Sequence, residues 1–427
     1  MPALQEKKKV ATGHRWLRGA ALYGMVLILL GICQFSWPSD EAANVKTASE
    51  EKWRVTHSFY AGPVAPEGEE TVPLLDLAVD SQGLAYMGFC DQGADLSRYW
   101  YQRSVRQWRK GLFGELSLED ELGKGAKVES DGCGSILIRL DQRDRPHILW
   151  SRSELHYMTP KGKDPEKDGW IHSVVPQDGD KVKALPRFAL GSDGTPYVLY
   201  LSIKKTGRFV NLATMQEGKW KIESLEIKIT PYCDITVGNN DEVIVALCYR
   251  SHYPDEDHRL VLLTKSEDKW VQEEIATLDF LTNLPTYYIN VLVDLEGNPH
   301  VFYPNRWEEY REDDVIYEEL ARRENKWQRQ GVISLRPGMW PPFPEAVSVD
   351  ISPDGKVFVC YADMESGLYL VEEKGGKWQE HLLDTTKGII KTSLAAISSS
   401  EVAVAFLSKS KEKPGLFQMN FKRVKPE

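Results

Sequence analysis

Tryptophan recurs along this chain at positions 53, 108, 170, 220, 270, 327 and 378, with intervals between 50 and 62 residues. Lys precedes it in Lys52-Trp53, Lys219-Trp220, Lys269-Trp270, Lys326-Trp327 and Lys377-Trp378, and about six residues suited to an outer β-strand follow each one. A repeat of this length belongs to arrays whose units bury their faces only against neighbouring units. The 427 residues therefore do not need to divide into the two or three domains that length alone suggests.

Upstream of the tryptophans a second pattern returns: a short strand, a turn carrying Asp and Gly, and a strand rich in aromatic and β-branched residues. Ser192-Asp193-Gly194-Thr195-Pro196-Tyr197, Asp294-Leu295-Glu296-Gly297-Asn298-Pro299-His300 and Ser352-Pro353-Asp354-Gly355 are examples. Asp accepts local backbone hydrogen bonds and Gly takes positive φ, so each segment reads as a hairpin. A third strand follows, as at Leu260–Leu263, and the Trp strand is the fourth. Four antiparallel strands per unit without helical periodicity describe the blades of a β-propeller.

Six units are complete. The remainder is three strands without a Trp strand, between Leu394 and Phe421, and a Trp strand without a blade, Trp53–Phe59. Joining them predicts an all-β, seven-bladed propeller over 53–424, closed by pairing of the N- and C-terminal strands; six blades with irregular ends is the alternative. The turn-and-strand segments, above all Gly297-Asn298-Pro299-His300-Val301-Phe302-Tyr303, resemble the repeats of exported bacterial propellers in the broad sialidase-like and NHL-like group. The specific signatures of WD40 and kelch units and a complete Asp box are absent.

The N-terminus carries Lys7, Lys8, Lys9, Arg15 and Arg18, then the apolar run Gly19–Phe35, then Trp37 and the acids Asp40 and Glu41. This pattern predicts a cytoplasmic basic segment at 1–18, a transmembrane signal-anchor helix at 19–37, a linker at 38–52, and a propeller in the periplasm or outside the cell. A cleaved signal near Glu41-Ala42-Ala43 and a lipoprotein box at Leu30–Cys33 are the alternatives. Export permits disulfides, and a hairpin pairing Gly238 with Val243 would set Cys233 opposite Cys248 as a candidate bridge. Cys90 and Cys133 are a weaker pair, which leaves Cys360 single.

A formal net charge of −10 argues against a polyanionic partner, so no nucleic acid is expected. Chemistry is expected in the loops that break the repeat, and fold analogy is the warrant. Two long loops of adjacent units supply Arg250, His252 and Tyr253, and Arg306, Trp307 and Tyr310. Trp340, in Trp340-Pro341-Pro342-Phe343, adds an apolar group to a third. Aromatics beside arginines and carboxylates suit stacking and directional hydrogen bonds to a sugar or peptide. His252, Asp255, Asp257 and His258 lack a diagnostic spacing for a metal, and no metal or other cofactor is expected.

His147 and His300 share one repeat position after Pro, which reads as packing. Arg139 and Arg187 fall on inner strands, open either to an anion in the channel or to salt bridges between blades. The functional expectation is a membrane-anchored binding or scaffold module that holds a protein or glycan partner on its loop-rich face. The alternative is a sialidase-like glycoside hydrolase or a lyase acting on envelope carbohydrate, although no nucleophile, base and orienting group can be picked out.

Overall fold

A computed structural model of the chain describes residues between Phe59 and Lys425, with breaks, the longer ones at 62–74, 111–134, 178–185, 251–257, 279–288, 306–314, 336–345 and 410–416. The described residues form an all-β propeller built from seven four-stranded antiparallel sheets. Six sheets run in chain order from an inner to an outer strand. Blade 1 extends from Leu75–Val79 to Gln107–Lys110, blade 2 from Ser135–Leu140 to Trp170–Val175, and blade 3 from Arg187–Leu190 to Lys219–Lys228. Blade 4 extends from Cys233–Val237 to Lys269–Leu278, blade 5 from Asn290–Val293 to Lys326–Leu335, and blade 6 from Val347–Ile351 to Lys377–Asp384.

The remaining sheet takes its three inner strands, Ile389–Ser398, Glu401–Lys409 and Phe417–Val424, from the C-terminal end and its outer strand, Phe59–Ala61, from the N-terminal side. Phe59 pairs with Met419 and Ala61 with Phe417. Trp53, read as the start of this outer strand, lies outside the described residues. The inner strands of successive blades pack against one another all the way round, with Leu75–Val79 touching Ile389–Ser398 to complete the ring.

The apolar run at 19–35 also lies outside the described residues. Among the described residues no helix is long and apolar enough to cross a membrane.

Trp220, Trp270, Trp327 and Trp378 fill equivalent places on the outer strands of their blades. Sheets that radiate from an axis diverge outward, so the gap between neighbours is widest at the outer strands and calls for the largest side chain. Trp220 packs against the core shared by blades 2 and 3, Trp270 against that of blades 3 and 4, Trp327 against that of blades 4 and 5, and Trp378 against that of blades 5 and 6. The turns that deliver them are tight. Glu217 and Gly218 have φ of 50° and 76°, the left-handed pair that joins strands through a two-residue turn.

The indole N–H then reaches back to the residue three past the preceding blade's Trp. Trp220 Nε1 donates to Ser173 Oγ at 3.1 Å, Trp270 Nε1 to Glu223 Oε1 at 2.8 Å, and Trp327 Nε1 to Glu273 Oε1 at 2.8 Å. Lys265 and Arg322, cross-strand partners of Trp270 and Trp327, pair with the same two glutamates. At blade 6 the pattern inverts. Gln330 stands in the acceptor position and Glu373 in the cation's, and the buried Trp378 Nε1 has no hydrogen-bond partner among the described residues.

The proposed bridge between Cys233 and Cys248 does not form, and both are buried thiols outside any disulfide. The hairpin turn takes one residue more than the sequence reading allowed: Gly238 donates to Glu242 O at 2.9 Å while Asp241 turns at φ 58°. Val237 therefore pairs with Val243, and Cys233 with Leu247. A shift of one residue sends a strand's side chains to the opposite face. Cys233 accordingly packs between blades 3 and 4, and Cys248 between blades 4 and 5.

Two predictions follow from this packing. Glu273→Ala should lower unfolding free energy by about 1–2 kcal/mol in urea titrations, because it strands one buried indole donor and one cation. Alkylation of the denatured, unreduced protein should label Cys233 and Cys248 fully in peptide maps; recovery of a linked peptide would contradict the register.

Candidate functional site

The two rims of the ring differ in construction. On one, the turns between inner and second strands are short and internally bonded, as in Gly83 N to Asp80 O and Gly297 N to Asp294 O. Most are also tied to the next blade. Ser81 donates its backbone N–H and its hydroxyl to Asp144, at 3.0 and 2.5 Å, and Ser192 does the same to Asp241, at 2.7 and 2.5 Å. Asn239 Nδ2 donates to the carbonyls of Asp294 and Leu295, and Arg423 Nη1 to Gly83 O at 3.0 Å across the closing junction.

Asp144 and Asp241 occupy positive-φ positions, where a short polar side chain is tolerated. Strands two and three, and strand four and the following blade, meet at the other rim. All the longer breaks between blades 1 and 6 join strand ends there.

Of the residues expected to bind a ligand, Arg250 ends the second strand of blade 4 in register with His258. His252, Tyr253, Arg306, Trp307, Tyr310 and Trp340 lie outside the described residues. The strands that carry their segments, Val243–Arg250 with His258–Ser266 and Pro299–Asn305 with Val315–Arg323, belong to adjacent blades and open on the same rim.

The channel is a cavity of about 540 Å³ lined by the seven inner strands. It carries Asp76, Asp234 and Asp350 together with Arg139, Arg187 and Lys391. The three carboxylates share one task. Inner strands have a partner strand on one side only, and their remaining N–H groups need acceptors. Asp76 accepts from Ile138 N at 2.8 Å, Asp234 from Val291 N at 3.0 Å, and Asp350 from Ala396 N at 2.8 Å, each time in the next blade.

Asp76 also receives Arg139 Nη1 at 2.9 Å and, from the closing blade, Ser393 Oγ at 3.0 Å. Arg187 lies 3.5 Å from Asp234 and donates to Cys233 O at 3.2 Å. Both arginines thus serve as links between blades. Burial pushes the Asp350 carboxyl up to about 6, against the backbone donors and Arg139 that favour its charge. Burial also raises Asp234, whereas Arg139 is raised because Asp76, Asp234 and Asp350 outweigh its own desolvation.

His147 and His300 are buried, each one residue after a proline, but their surroundings differ. His147 Nδ1 lies 2.6 Å from Tyr157 Oη, and burial draws its pKa down to about 4, which keeps the ring neutral. His300 sits between Glu319 at 2.6 Å and Asp294 at 3.3 Å. There burial opposes protonation, but the two carboxylates prevail and raise its pKa. The shared repeat position signals packing for both, but the two shifts run in opposite directions, since the equivalent diagonal position on the third strand carries Tyr157 in one blade and Glu319 in the other.

No family model matches the sequence, and no curated protein matches it; the likeness to the sialidase-like and NHL-like group rests on the repeat segments alone. Among solved structures the chain is similar to an ulvan lyase of polysaccharide lyase family PL25. The TM-score is 0.50 at 12 % identity, over 88 % of this chain and 96 % of that one. That lyase is also known bound to -[GlcA(1-4)Rha3S]-. The polysaccharide lyase Uly1 matches at a TM-score of 0.50 and 11 % identity, over 86 % of this chain and 92 % of that one. The lectin of Aleuria aurantia, in complex with Fucα1-6GlcNAc, gives 0.45 and 12 % over 74 % and 96 %. At these identities the likeness shows the fold, and the class the chain defines is that of a β-propeller with neighbours among glycan-active propellers.

The channel chemistry predicts a pH dependence. The Asp350 carboxyl titrates higher in the folded than in the unfolded chain, so stability is greatest below about pH 4 on its account and falls as pH rises through about 6. Asp350→Asn keeps an oxygen for Ala396 N–H and removes the ionisation. It should stabilise the protein by roughly 1–3 kcal/mol at pH 7 and by little at pH 4, read from urea midpoints at the two values.

Proposed function

We propose that this propeller is an extracytoplasmic binding module, anchored through residues 19–37, that holds a glycan partner at the rim where blades 4 and 5 open. The asymmetry of the two rims carries the reading: on one, the turns between first and second strands are short and mostly bonded from blade to blade, whereas the long, aromatic and basic segments join strands that open on the other. A rigid ring presenting irregular loops on one side is a common basis for recognition. Arg250, His252 and Tyr253 from one blade, with Arg306, Trp307 and Tyr310 from the next, supply planar donors and stacking faces suited to a saccharide, and Trp340 extends the apolar surface.

The named substrates and ligands of the neighbouring propellers favour a glycan over a protein partner. A polysaccharide-cleaving activity is the second reading, favoured by the lyases that share the fold. Polysaccharide arrays probed with the purified full chain should reveal capture. Trp307→Ala combined with Arg250→Ala should weaken it at least tenfold, about 1.4 kcal/mol, without changing the melting temperature. Undiminished capture by the double variant would overturn the reading, and shortening of a captured polysaccharide would replace it with the second.

A further inference from the structure

A cleft of about 380 Å³ opens between blades 3 and 4, toward the short-turn rim and away from the loops considered above. Its volume falls within the ~300–1,000 Å³ of small-ligand sites. Tyr197, half-buried, forms one wall and packs against the core shared by the two blades. It stands one residue after Pro196, the place that His147 and His300 hold after Pro146 and Pro299.

Those histidines are satisfied within their own blades, His147 by Tyr157 and His300 by Glu319 and Asp294. Tyr197 faces Thr214 across the strand pair instead, and among the described residues its hydroxyl makes no hydrogen bond. Burial and the nearby Asp193 and Asp241 raise its pKa, so the phenol keeps its proton as a donor. The hydroxyls of Thr214 and Thr264 on the cleft wall are likewise uncommitted, and Lys221 is exposed there and makes no salt bridge, in each case among the described residues.

The remaining groups are held in place. Glu223, bound by Trp270 and Lys265, closes the outer end. Asp241 is fixed by Ser192, and Glu242 accepts Asn240 N at 3.0 Å. Two fixed carboxylates at the mouth repel anions, while their spare lone pairs accept from hydroxyls. An aromatic ring beside several unspent donors and acceptors matches a pyranose, which has an apolar C–H face and an equator of hydroxyls.

From this arrangement we infer that the cleft between blades 3 and 4 is a second binding site, one for an uncharged saccharide, with Tyr197 as the stacking platform and Lys221, Thr214 and Glu242 as polar contacts. It is independent of the loop-rim reading. The test is saturation-transfer NMR and calorimetry on the full chain, using methyl glycosides of glucose, galactose, mannose and N-acetylglucosamine, with methyl glucuronide as the anionic comparison.

At least one neutral glycoside should bind with Kd around 1 mM, and the glucuronide at least tenfold more weakly. Tyr197→Ala should abolish binding. Tyr197→Phe and Lys221→Ala, which leave the packing intact, should each weaken it about threefold to tenfold, and Trp307→Ala with Arg250→Ala should leave it unchanged. The inference is overturned if none of the four neutral sugars binds, if the glucuronide binds as well, if Tyr197→Phe and Lys221→Ala both bind like the parent protein, or if the loop-rim variant is the one that loses binding. Loss confined to the loop-rim variant would leave the rim reading standing, and loss confined to the cleft variants would leave the cleft standing.

Discussion

The grip of each outer-strand indole on the blade before it is the interaction on which the ring depends. A radial arrangement leaves a wedge that opens outward, and aliphatic side chains close only its narrow part. Trp220, Trp270 and Trp327 fill the wide part and tether it with a directional bond to Ser173, Glu223 and Glu273. In two cases a cation joins the same carboxylate, and Arg322 also lies over the Trp327 ring at 4.9 Å. The coupling is therefore both apolar and electrostatic, and it runs in one direction round the ring. Its lapse at Trp378, where Gln330 replaces the glutamate, leaves the indole without its bond, and that junction is tied instead by Gln330 Nε2 to Gly376 O at 3.4 Å and by Arg323 to Glu373 at 3.6 Å.

At the axis the same problem appears in a different form, because inner strands end in unpaired backbone rather than in a gap. Asp76, Asp234 and Asp350 resolve it by capping the next blade's N–H groups, and two of them also receive Arg139 and Arg187. These three carboxylates and two arginines thus have structural duties in the channel. Groups bonded in this way have little left to offer a ligand. The hydroxyls of Tyr197, Thr214 and Thr264 differ because, among the described residues, their hydrogen-bonding capacity is unspent.

The repeat made the blade pattern legible, since Trp spacing and the Asp–Gly turns are local signals, each encoded in a handful of adjacent residues. The bonds between blades were less so. Glu223 and Glu273 stand three past a Trp and could have been noticed, but nothing in a single unit says that this residue serves the following one. The hairpin at Asn239–Asp241 shows where local reading fails: whether Asp241 takes a left-handed position shifts the pairing by one, and that shift separates Cys233 from Cys248. The Tyr197 cleft leaves no mark in the sequence, because its walls come from two blades and its tyrosine fits the second-strand pattern. Trp307, Arg306 and their loop partners were chosen by composition, for loops escape the repeat that made the rest readable.

The closing sheet has a consequence for how the chain reaches its native form. Asp76 meets Ser393 across 317 positions of sequence, and Arg423 meets Gly83 across 340. The short strand Phe59–Ala61 can find its partner only after nearly the whole chain has been synthesised. Until then blade 1 has no neighbour on its closing side, with Leu75, Leu77 and Met87 open to solvent or to another chain. A nascent molecule of this kind is a template with a free end, and the interval before closure is when a chaperone, or a second copy, has most opportunity to engage it.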